Sequence, residues 1–122
     1  MYPYTTTAAN AGVGAGTVTI VLQDASGTVL QTTTATVNIA NTAATAAVSA
    51  PSTVPLNYTI PAGTGYKLLV SAKSSTISGF VRESGDNTPN YPLPFSDVGT
   101  IGTTTSSYYY YLYNLNITSA CV

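Results

Sequence analysis

An all-β fold, a β-sandwich of about seven to eight short and mostly antiparallel strands, is what this sequence predicts. Three observations lead there. Apolar residues recur with period two rather than about 3.6 along most of the chain. The composition favours pleated structure, with 22 Thr among 122 residues. Turn signals such as "DASG" and "PAGTG" interrupt the alternation at short intervals. The length suits one domain with a modest core, so residues 1–122 read as a single unit.

"GTVTIVLQ" puts Val18, Ile20 and Leu22 on one face and Thr17, Thr19 and Gln23 on the other. "DASG" (24–27) turns the chain into "TVLQTTTATVNI", which predicts a hairpin. The Thr/Ala tract "ANTAATAAVSAPS" (40–52) is a low-complexity connection, because its threonines and Pro51 oppose a stable helix. "VPLNYTI" alternates and predicts a strand with Val54, Leu56, Tyr58 and Ile60 inward. After "PAGTG" (61–65), "YKLLVSAK" returns with Tyr66, Leu68 and Val70 on one face and Lys67 and Lys73 on the other. "TISGFVRE" predicts one further strand, "SGDNTPNYPLPF" a long loop with three prolines, and "VGTIG" a short strand.

Residues 108–113 then hold five of the ten tyrosines. Numbered as a strand, Tyr109, Tyr111, Tyr113, Leu115 and Ile117 share the core face. Tyr108, Tyr110, Leu112, Asn114, Asn116 and Thr118 share the other, which becomes polar toward its end. Most of this run is therefore packing, and only Tyr108 and Tyr110 are left for another role.

Composition removes several functions. Charged residues make up 6% of the chain, and three basic residues with a net charge of −1 give nucleic acid nothing to grip. No apolar run approaches the roughly 20 residues that span a bilayer, so membrane insertion is not expected. A Thr-rich, Lys-poor surface points to an extracellular or cell-surface location. Met1 is followed by "YPYTTT", with no basic and apolar leader. The chain therefore reads as a mature or excised piece of a longer exported protein, with neighbouring domains as its first partners.

Chemistry is sparse. With no His, the usual general base, metal ligand and triad partner are missing, and no enzyme and no cofactor are expected. Of the four carboxylates, Asp24 lies in a tight turn, while Glu83, Asp86 and Asp97 show no diagnostic spacing. "SGDNTPN" is rich in oxygen ligands, but one Asp with two Asn suits turns better than a Ca²⁺ site. Cys121 stands alone, either paired with a cysteine outside this sequence or as a terminal thiol. Asn57-Tyr-Thr and Asn116-Ile-Thr match the N-glycosylation pattern, yet both fall within predicted strands.

The pieces "GTVTIVLQDASGTVL", "VPLNYTIPAGTGYKLLV", "GFVRESG", "NYPLPF" and "SSYYYYLYNLNITSAC" cover residues 16–30 and 54–121 in order. Together they resemble a repeat module of large secreted or surface proteins of Bacteroidota, the gliding and adhesin-type chains exported by the type IX system. The resemblance implies an immunoglobulin-like or fibronectin III-like sandwich with a spacer or adhesive role, and a cysteine near the module's end, here Cys121. The tract 40–52 is longer than such modules usually carry. No catalytic residue is implied.

The expected function is thus a non-catalytic extracellular structural or adhesion module, in contact with neighbouring domains, glycans or other surface proteins. One rival is a carbohydrate-binding module, with Tyr108, Tyr110, Tyr91 and Phe95 as a stacking platform and Asn87 and Asn90 as hydrogen-bond donors. A second is a filament subunit that assembles by strand addition, using ends such as "YPYTTT" and "YNLNIT".

Overall fold

The computed structural model describes residues 1, 3–4, 15–39, 52–80, 83–84, 93–95, 99–101, 108–109 and 115–118. These residues form strands and no helix, and every strand pairing among them is antiparallel. The first strand, β1 (Pro3–Tyr4), is followed by β2 (Ala15–Gln23), β3 (Val29–Asn38) and β4 (Lys67–Lys73). The last three form one sheet with β2 in the middle, in the order β3-β2-β4.

Period two explains that central place. Val18, Ile20 and Leu22 are 1%, 0% and 2% exposed, while Thr17 between them and the end of the strand is open to solvent. The expected hairpin also forms. The Gly27 N–H donates to the Asp24 carbonyl (3.1 Å), and the Asp24 N–H to that of Thr28 (2.9 Å). Gly27 sits at φ +90°, a conformation that costs glycine little. A bulge between Leu22 and Gln23 then sets Gln23 opposite Val29 and leaves Leu30 over, both apolar side chains being exposed.

The core lies on the face that carries Val18 and Ile20. Val37 of β3 joins them, together with Met1, Ile39, Ile77 and Phe80. Val54, Leu56, Tyr58, Leu68 and Val70 pack against this cluster as half-buried neighbours. Residues 52–60 thus keep the predicted alternation but make no ladder. Pro55 lacks an N–H, and Asn57 takes a left-handed φ of 53°, so the backbone leaves the extended path mid-segment. Ile60, expected inward, is 49% exposed because the segment ends its packing at Tyr58.

Side chains fasten this segment in place of a ladder. The Ser52 hydroxyl meets the Asn38 N–H (2.9 Å) and carbonyl (3.3 Å). Tyr58 donates its hydroxyl hydrogen to the Ile20 carbonyl at 2.5 Å, crossing to the central strand. Met1 and Ser52 exchange two further bonds, from the Met1 amine to the Ser52 carbonyl (3.1 Å) and from the Ser52 N–H to the Met1 carbonyl (2.9 Å).

Leu68 and Val70 of β4, and Tyr66 just before it, fall on the half-buried side as expected, and Lys67 is exposed. Lys73 is exposed as well, but it departs from the expected face. The register shifts between Thr19 and Ile20, with Thr19 opposite Ala72 and Ile20 opposite Val70. Ser71 is the extra residue, so Lys73 comes to stand opposite the buried Val18. Its ammonium then donates to the Ile77 carbonyl at 2.6 Å.

Within "TISGFVRE" the strand begins only at Gly79, and Val81 and Arg82 lie outside the described residues. Ser74–Ile77 closes a turn (Ile77 N–H to Ser74 carbonyl, 3.1 Å), and β5 (Gly79–Phe80) pairs back onto β1. β6 (Glu83–Ser84) changes partner, to β9 (Tyr108–Tyr109). Part of the predicted proline loop is also a strand: β7 (Leu93–Phe95) pairs with β8 (Gly99–Ile101), setting Pro94 opposite Thr100. Among the described residues Pro94 has no second strand partner, so it needs no donor on that side, which is how "LPF" enters the pair.

Candidate functional site

The aromatic platform expected from the sequence is only partly in view. Tyr108 lies in β9 opposite Ser84, and Phe95 ends β7 opposite Gly99. Tyr110, Tyr91, Asn87, Asn90 and Cys121 lie outside the described residues, as do Tyr111 and Tyr113. At the end of the tyrosine run the alternation persists, with Leu115 and Ile117 half-buried and Asn116 and Thr118 exposed, as period two requires. The "YPYTTT" end is not spare at Pro3 and Tyr4, which pair with Phe80 and Gly79.

Where ionisable side chains are described with their contacts, they hold local structure. The Asp24 Oδ1 accepts from the Ser26 N–H (2.9 Å), the Ser26 hydroxyl (2.6 Å) and the Thr28 N–H (2.9 Å). These bonds, led by that from the Ser26 hydroxyl, hold the carboxyl below the usual carboxylate range. An anion satisfied by its own turn is a poor general base, since protonation must first break those bonds. Lys73 is similarly tied to the Ile77 carbonyl. Among the described residues, no group of three or more His, Cys, Asp and Glu gathers to hold a metal ion. No helix among them is long and apolar enough to cross a membrane.

The structure instead assembles two surfaces that single residues did not reveal. The face of the sheet turned from the core carries Thr17, Thr19, Thr32, Thr34 and Thr36, with Thr17 opposite Thr36 and Thr19 opposite Thr34. The Thr19 and Thr34 hydroxyls lie 3.0 Å apart. Beside them Val21, itself buried at 5% exposure, stands opposite Leu69, which is 40% exposed. The second surface is the outer edge of β3, an uncharged strand of ten residues. Its signal in the sequence is the lack of any charge between Asp24 and Lys67.

Both glycosylation-type triplets leave the strands assigned to them. Asn57 and Asn116 are exposed, and neither lies in a ladder. Pro55 and the left-handed Asn57 explain the first case.

Compared with family models, curated proteins and solved structures, the chain matches none.

Proposed function

We propose that this chain is a non-catalytic, extracellular or cell-surface β-sandwich module, immunoglobulin-like, which acts as a structural or adhesive unit beside neighbouring domains. The observation that carries this reading is how Asp24 and Lys73 are used. The carboxylate of one organises its own hairpin turn, and the ammonium of the other fastens the exit of β4 to Ile77. Hydroxyls and amides add further polar contacts, in the threonine face and at Gln31 and Ser52. The resemblance to Bacteroidota surface modules supports the same role. In it, a hydrogen-bonded sheet keeps its shape while loops and a hydroxyl-rich face meet solvent and partners.

The carbohydrate-binding reading is tested directly against this one. The chain is titrated with a panel of soluble polysaccharides while tyrosine fluorescence and binding heat are followed. No saturable binding is expected. Binding lost on Tyr110→Ala or Tyr91→Ala, with folding intact, would replace the structural role by a lectin-like one. Location is tested separately, with an antibody against the chain applied to intact source cells. Surface labelling is expected, and labelling only after permeabilisation would contradict it.

A further inference from the structure

We infer that the outer edge of β3 is a strand-pairing surface on which a second copy of this chain docks. In an antiparallel ladder, alternate residues direct their N–H and C=O groups to one neighbour and then to the other. Asn38 sets the phase, because its N–H and carbonyl both meet the Ser52 hydroxyl rather than β2. The far side of β2 agrees. Thr17, opposite Thr36, turns its N–H to the Ser74 hydroxyl (3.0 Å) and its carbonyl to the Ser74 N–H (2.9 Å). Thr32, Thr34 and Thr36 share the phase of Asn38, so their backbone groups point out of the sheet. Among the described residues no backbone group pairs with them, and all three side chains are exposed. Residues 52–60 do not fill this edge. Val54, Leu56 and Tyr58 anchor that segment against the core face, and Pro55 has no N–H to offer.

Charge names the occupant. Exposed edges invite pairing, and lysines are a common guard against it. If two copies of β4 paired about Val70, Lys67 of each would face Lys73 of the other. β3 has no such guard, with no charge anywhere between Asp24 and Lys67. Paired antiparallel about Thr34, two copies set Thr34 against its counterpart and each Thr32 against a Thr36. These are uncharged, β-branched cross-strand pairs of the kind that Thr19 and Thr34 already make within the chain. The two three-stranded sheets then continue as one, with two-fold symmetry. This inference goes beyond the extracellular role and does not depend on it.

Sedimentation equilibrium of the full chain, from micromolar to millimolar concentration, is the test. A reversible monomer–dimer equilibrium is expected. Thr34→Lys sets two ammonium groups at the two-fold axis and is expected to weaken association more than about tenfold. Thr32→Lys combined with Thr36→Glu faces opposite charges across the axis and is expected to keep or tighten the dimer. Thr32→Lys combined with Thr36→Lys is expected to abolish it. Each change falls on an exposed side chain, and thermal unfolding checks that the sheet survives. A chain that stays monomeric at millimolar concentration overturns the inference. So does a dimer that all three variants leave unchanged.

Discussion

The side-chain amide of Gln31 exchanges two hydrogen bonds with the backbone of Thr59. Its Nε2 donates to the Thr59 carbonyl at 2.5 Å, and its Oε1 accepts from the Thr59 N–H at 3.0 Å. Asn38 and Ser52, seven residues away along β3 and along the segment 52–60, make the matching contact at the other end. Two side-chain clasps therefore do for residues 52–60 what a ladder does elsewhere. Gln31→Ala is expected to destabilise the chain by about 1–2 kcal/mol, two modest hydrogen bonds' worth. Urea unfolding checks this, and an unchanged midpoint would mean that apolar packing alone holds the segment.

Gly16 is fixed by contact with Ile77. A Cβ there would stand 2.5 Å from Ile77 Cγ1, 2.6 Å from its Cδ1 and 2.8 Å from the Ser74 Oγ. Ile77 is 0% exposed and has nowhere to move. Gly16→Ala is expected to cost about 1–3 kcal/mol through overpacking. Combined with Ile77→Ala, which opens space at that point, it should cost less than the two changes summed. Strict additivity in that cycle would contradict the contact.

Asp24 gives the hairpin a dependence on acid. Its folded carboxyl lies below the ordinary value of 3.8, chiefly through the bond from the Ser26 hydroxyl. At pH values below 3.8 the unfolded chain therefore binds this proton more readily than the folded one does. The stabilising contribution is present above 3.8 and is lost as pH falls through the lower folded value. Asp24→Ala is expected to lower Tm at neutral pH and to flatten its decline below pH 3.8. A variant whose acid profile runs parallel to the parent's would remove Asp24 as the cause.

Period two, carried back from Leu115 and Ile117, separates the tyrosines into two sets. Tyr111→Ala is expected to cost about 3–5 kcal/mol, the range for deleting a large core aromatic. Tyr110→Ala should cost much less. Equal losses at the two positions would place the register one residue away.

The central hairpin was readable because the main local signals agreed there: Val18 and Ile20 alternate with Thr17 and Thr19, Leu22 continues their face past the apolar Val21, and "DASG" supplies both the aspartate and the glycine its turn needs. Alternation alone misled at "VPLNYTI". Burial follows period two in any extended segment packed against a core, whereas a ladder also needs donors, and Pro55 and Asn57 withhold them. Lys73 was misplaced because a bulge depends on the partner strand and leaves no mark in "KLLVSAK". The pairing of Leu93–Phe95 with Gly99–Ile101 was hidden by its prolines. That the outer edge of β3 has no strand partner among the described residues was invisible for a different reason. Which backbone groups face outward is set by pairing phase, and that follows from Asn38 meeting Ser52, fourteen residues on.

Amide hydrogen exchange, followed residue by residue in dilute solution, tests the sheet and the inferred pairing edge of β3 most directly. Thr33, Ala35 and Val37, opposite Ile20, Val18 and Gly16, are expected to be protected by their bonds to β2. Thr32, Thr34 and Thr36 are expected to exchange at least about tenfold faster, and to gain protection only as concentration rises and copies pair. Equal protection of both sets at high dilution, or none in either, would contradict the register and the free edge together.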